Sequence, residues 1–188
     1  MSAAARLTAG LGPLLALALV ACTPVLSTVE SVADVRSAEE VVDDSVIHTR
    51  IATALARESG ALFFGVETSV FQSRVMLTGA VKKRADYDAA ARLANSVGGV
   101  REVVNELQVT DEGGFAAGVG DLTIETKLKA KLVGDDEVHS ANYRWKSVNG
   151  TVYFLGVALG RAELDRVFAA ARDTEGVRKV VSHVQVRS

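Results

Sequence analysis

A single cysteine, Cys22, stands in a chain of 188 residues, so no intrachain disulfide can form. A basic excess is lacking too. The chain has 21 Lys+Arg against 23 Asp+Glu, a formal net charge of −2, and general nucleic-acid binding needs a clear positive surplus to neutralise phosphates. Catalytic signatures are missing: there is no G-x-S-x-G, no H-E-x-x-H and no P-loop. His48, His139 and His183 are too scattered to make a ligand cluster with Cys22, and all three read as solvated, His183 on the polar face of a strand. Asp135-Asp136-Glu137 lacks the oxygen ligands of an EF-hand loop and reads as a solvated turn. No cofactor, metal or catalytic residue is expected. The composition, 48% hydrophobic and 23% charged, is that of a globular protein.

The first segment reads as a leader. Arg6 supplies a minimal positive region, and an apolar run from Leu11 to Ala21 is interrupted only by Gly12 and Pro13. That run is too short for a stable membrane span. It ends in Leu19-Val20-Ala21-Cys22, which resembles a lipobox: small residues before the cut, then a thiol to carry diacylglycerol. Residues 1–21 are therefore expected to be a lipoprotein signal peptide, with Cys22 lipidated. Thr23 follows where Asp would retain a lipoprotein in the inner membrane, which favours the outer membrane.

Repeats come next. A shift of 77 residues aligns 44–109 with 121–186 without a gap, and seventeen positions are identical, among them Asp44/Asp121, Ile47/Ile124, Leu55/Leu132, Gly79/Gly156, Gly99/Gly176 and Gln108/Gln185. The matches concentrate at apolar and glycine positions, where a shared fold constrains choice. In each unit an Asp can cap a helix, and Ile47, Ile51, Leu55 (or Ile124, Leu128, Leu132) fall on one helical face. A hairpin follows, its turn Asn149-Gly150 in the second unit and the poorer Gln72-Ser73 in the first. Then come a strand with a matched glycine, a second helix closed by Gly99 or Gly176, and a last strand. In that strand Val103, Leu107 and Val109 oppose Glu106 and Gln108, a pattern that predicts one solvated sheet face. Tyr143 and Trp145 read as core-facing.

The expected class is α+β: two tandem αββαβ units, each a three-stranded mixed sheet covered on one face by two helices. Residues 44–110 and 121–188 are the units, 22–43 a polar acidic tether, and 111–120 (DEGGFAAGVG) a glycine-rich linker without nucleotide-motif spacing.

Two such units behind a lipobox resemble the BON domain family. The resemblance rests on strands ending in glycine (Leu77-Thr78-Gly79, Phe154-Leu155-Gly156) and on a G-V-R-x-V-V run at Gly99 and again at Gly176. The layout is similar to dual-BON outer-membrane lipoproteins of the DolP type. It implies binding to membrane phospholipid and upkeep of the envelope rather than catalysis, through the first helix of the second unit.

Charge agrees with that choice of unit. Residues 121–188 hold 11 Lys+Arg against 9 Asp+Glu, while 23–120 hold 9 against 14. Lys127, Lys129 and Lys131 lie on the helix in question, with Lys127 and Lys131 on one side, where unit one has Arg50, Ala52 and Ala54. Basic residues beside an anionic bilayer contribute about 1 kcal/mol each. Leu122 and Thr123 open the helix where lipid-binding relatives can place an aromatic. The expected partner is anionic phospholipid. The alternative is a periplasmic adaptor docking an envelope protein, which an exposed apolar patch would favour.

Overall fold

The computed structural model describes residues 35–111 and 118–187. Cys22, the leader, most of the tether and linker residues 112–117 lie outside the described residues. The described part falls within one compact unit of the chain.

The chain runs α1 (Ala38–Glu58), α2 (Gly60–Gly65), β1 (Val66–Phe71), β2 (Arg74–Val81), α3 (Arg84–Ser96), β3 (Glu102–Asn105) and β4 (Gln108–Val109). It continues through α4 (Gly118–Val133), a 3-10 turn at Ser140–Asn142, β5 (Tyr143–Val148), β6 (Thr151–Ala158), α5 (Arg161–Arg172) and β7 (Lys179–Val186). In each half the hairpin is antiparallel and the crossover strand pairs in parallel with the hairpin's second strand, so β2 and β6 are the central strands. The expected αββαβ order is present twice. The first half adds the short α2, and its last strand is split into β3 and β4.

Helix starts differ from expectation. Ser37 caps α1 in a capping box with Glu40, so the helix reaches back into the stretch read as tether. Helix α4 likewise begins at Gly118, inside the stretch read as linker. Asp44 and Asp121 are consequently interior helix residues, not caps, and both are buried.

They clamp the hairpin turns instead. Asp44 accepts from the Gln72 and Ser73 N–H groups at 2.9 and 2.8 Å. The Asp121 carboxylate accepts from Asn149 N–H, Gly150 N–H and the Ser147 hydroxyl at 2.7, 2.9 and 2.6 Å. Both central residues of each turn have positive φ, a type I′ geometry that costs little for Asn-Gly but is strained for Gln-Ser. Two charge-assisted bonds from Asp44 hold the poorer turn in shape.

The matched strand glycines mark close backbone approach. A Cβ at Gly79 would lie 2.2 Å from the Gly65 carbonyl oxygen, and one at Gly156 would lie 2.1 Å from that of Asn142. Both residues also have positive φ.

Each sheet is two-faced. In β2, Val75, Leu77 and Val81 pack with Ile47, Ile51, Leu55, Ala90 and Ala94 under the helices. In β6, Val152, Phe154 and Ala158 do the same with Ile124, Leu128, Leu132 and Val167. Tyr143 joins this second core and Trp145 packs partly buried against it.

The other sheet faces are covered at their centres, which overturns the reading of the last strand in the first half, although Val109 and, in the second half, Gln185 stay exposed. Phe71 and Met76 from the first half meet Val148, Tyr153, Leu155 and Val157 from the second in a third core. The order of layers is helices, sheet, sheet, helices. Glu106 and Gln108 face this seam and are paired across it. Gln108 donates to the Val148 carbonyl and Tyr153 hydroxyl and accepts from Asn149. Glu106 meets His183 Nε2 at 2.8 Å, so His183 is a seam residue and not a solvated one. Buried Arg74 binds Glu102 at 2.6 Å and donates to the His183 carbonyl at 2.9 Å, and Lys146 pairs with Glu67 and Glu125.

Candidate membrane-facing helix

Helix α4 is anchored by Ile124, Leu128 and Leu132, all buried, spaced so that one face points into the second core. At about 100° per residue, the opposite face carries Val119, Leu122, Thr126, Lys129, Ala130 and Val133, every one exposed. Val119, Leu122 and Val133 are 85%, 64% and 61% exposed. Thr123 sits at the edge of this stripe. The Thr123 and Thr126 hydroxyls donate to Val119 and Leu122 carbonyls one turn back, so they present methyl groups outward.

The three lysines do not act together. Lys127 and Lys131 share a side, as their spacing required, but that side faces α5. Lys127 Nζ lies 2.6 Å from Glu175, and its ammonium holds the Glu175 carboxyl below the usual range. Lys131 Nζ donates to the Asp173 carbonyl at 2.7 Å, close to the C-terminal end of α5, where a cation complements the helix dipole. Lys129, which sequence spacing set apart from the other two, lies on the outward stripe and has no ion pair among the described residues. The stripe is thus apolar with one lysine, and the exposure of Val119 and Val133 had no sequence signal beyond their helical phase.

Other titratable groups are committed to structure. Glu163 is buried and accepts from the His139 and Leu159 N–H groups at 2.8 and 2.6 Å, with the His139 ring 3.3 Å away. Burial, with the Glu163 carboxylate beside it, pushes the Tyr143 phenol above its ordinary range. Asp135 is gripped by the Arg166 guanidinium, whose hydrogen bond holds its carboxyl below the usual range. The acidic loop is therefore an ion-paired turn. Among the described residues no group of His, Cys, Asp and Glu is arranged to hold a metal, and no helix is long and apolar enough to cross a membrane.

Two repeats, each with this strand order, a helix–turn Asp clamp and a crowded strand glycine, meet their counterpart in sequence comparison: the BON domain matches residues 43–111 and again 120–188. The chain belongs to the BON domain family. It is 32% identical over 147 residues to an uncharacterised protein from the gshII 5′ region of Anaplasma centrale, covering 78% of this chain and 96% of that one. It is 29% identical to the osmotically inducible protein Y of Escherichia coli K12, over 78% of this chain and 74% of the relative. With the outer membrane lipoprotein DolP of Haemophilus influenzae it shares 30% identity, over 79% and 77% of the two chains. The dual-BON protein is thus similar across most of its length to relatives that include a named outer membrane lipoprotein.

Proposed function

We propose that this dual-BON protein is a non-catalytic envelope lipoprotein. In this reading it is anchored through Cys22 in the outer membrane, faces the periplasm, and binds anionic phospholipid through α4, supporting membrane integrity. The observation that carries the reading is the outward stripe of α4, where Val119, Leu122 and Val133 stand exposed beside Lys129. An exposed apolar face taken alone suits the docking of an envelope protein equally well; Lys129 alongside it is what favours an element lying in the headgroup region. Lys127 and Lys131 are spent on Glu175 and on the Asp173 carbonyl, so Lys129 is the lysine of α4 left to meet a headgroup. The lipid anchor adds effective concentration, so the helix face needs only modest intrinsic affinity.

Two experiments test it. Cys22→Ser should abolish incorporation of labelled fatty acid, and continued labelling would refute the anchor. Vesicle flotation with anionic phospholipid should be lost in a Leu122→Ser/Lys129→Glu variant while the melting transition stays in place, since neither side chain touches the core. Unchanged flotation would refute the role of α4 and favour docking of an envelope protein.

A further inference from the structure

We propose that the first domain carries a second contact with anionic bilayer, an aromatic–cationic corner made by Phe63, Phe64, Arg57, Lys82 and Lys83. It rests on the membrane-apposed reading of the protein but not on α4.

The two repeats provide an internal control. Helix α2 exists only in the first, where Gly60-Ala-Leu-Phe-Phe-Gly65 stands against Glu137-Val-His-Ser-Ala-Asn142 in the second. Its fold role is carried by two other residues. Leu62 is 1% exposed in the first core, and Gly65 abuts the Ala80 carbonyl and Val81 side chain. Ser59 caps the helix from in front. With both ends pinned, Phe63 and Phe64 are turned outward, 48% and 66% exposed, their rings edge to face at 5.2 Å. The second repeat places Ser140 and Ala141 at these positions and builds the same hairpin, so the fold does not require the rings.

The cations diverge at the same end of the domain. Lys82 and Lys83 follow Val81, whose Cγ1 would lie 3.6 Å from a Cβ at Gly65, and their counterparts are Leu159 and Gly160. Arg57 lines one shallow groove of about 450 Å³ with Phe63, His48, Ala52 and Ala56, and its counterpart is Gly134. Lys82, Lys83 and Arg57 are exposed and have no ion pair among the described residues. Glu58, Asp86 and Asp111 lie at this end too, so the cationic feature is the adjacent Lys82-Lys83 pair beside the rings and not the net charge.

Rings at the edge of the hydrocarbon with ammonium groups among the phosphates are what the bilayer interface selects. A protein partner is the poorer fit. Aromatic side chains bury about 150–250 Å² each, so two half-exposed rings fall well short of the roughly 1,000 Å² that a stable protein interface needs. A bilayer contact needs no shape-matched partner surface, since each ring and each cation acts on the lipid separately.

The test uses the full mature chain made soluble by Cys22→Ser. F64W in a W145F background places one indole at the corner. Vesicles of phosphatidylethanolamine and phosphatidylglycerol with brominated acyl chains should quench it, and phosphatidylcholine vesicles should quench it far less. F63S/F64A, which copies the second repeat, and K82E/K83E should each weaken vesicle binding by about tenfold. An unquenched indole, or full affinity in both double variants, overturns the proposal. If F63S/F64A lowers the melting temperature, K82E/K83E decides, since those side chains are exposed. Failure of the α4 reading is seen separately, as binding by L122S/K129E at the full affinity of the parent.

Discussion

Asparagine in place of Asp121 separates two roles for the repeated aspartate. A helix cap tolerates Asn about as well as Asp, so a capping role predicts little change. A turn clamp does not. One carboxylate oxygen accepts from Ser147 Oγ and Gly150 N–H, the other from Asn149 N–H, and an amide must turn its NH2 toward one of these donors. A hydrogen bond to a charged group contributes about 1.5–3 kcal/mol, and an unpaired buried donor costs about 1–3 kcal/mol. We expect Asp121→Asn to cost about 2–3 kcal/mol and Asp121→Ala, which strands all three donors, about 3–5 kcal/mol. The bonds share one carboxylate, so their losses do not add fully. Asp44→Asn should cost more, because it also breaks the buried pair with Arg36 at 3.0 Å, and Ser73→Gly should recover about 1 kcal/mol of it by relieving positive φ. Guanidinium unfolding followed by circular dichroism measures each value. An Asp121→Asn variant within about 0.5 kcal/mol of the parent, the spread of neutral surface changes, would refute the clamp.

Gly79→Ala and Gly156→Ala should each cost at least about 3 kcal/mol, because the new methyl meets a backbone oxygen that cannot swing away and φ is positive. Gly99→Ala, whose Cβ would meet only Ile47 at 3.4 Å, should cost about 1 kcal/mol, and equal losses by thermal melting would contradict the crowding argument. Leu155→Ala should cost about 2–5 kcal/mol and lower the stability of both domains in one transition, since Leu155 lies in the shared seam; a second-domain-only effect would refute a common core. Glu102, held below its ordinary range by the Arg74 guanidinium, contributes stability that is complete above its unfolded value and lost as pH falls through the folded one. Glu102→Gln should therefore flatten the acid limb of the stability profile, and an unchanged limb would exclude the pair.

The repeat, the order of elements and the helix-covered cores were set by local pattern. Ile124, Leu128 and Leu132 pack as their spacing required, and Gly79, Gly99, Gly150, Gly156 and Gly176 all have positive φ, because periodicity and backbone sterics act within a few residues. The second faces of the sheets were decided only in three dimensions. Alternation in the last strand suggested solvent, since it registers polarity and not pairing, and Glu106 and Gln108 found their partners 77 and 40 residues away. The continuous apolar run of β6, Val-Tyr-Phe-Leu-Gly-Val-Ala, already carried the sign of a strand buried on both sides, but nothing local names what buries it. The same division holds at α4. Helical phase placed Lys127 with Lys131 and apart from Lys129, whereas only the packing of α5 determined that the pair is engaged by the end of α5 and the residues after it while the single lysine faces out. Long side chains are claimed by whichever partner the tertiary fold brings within reach, and a sequence carries no record of that distance.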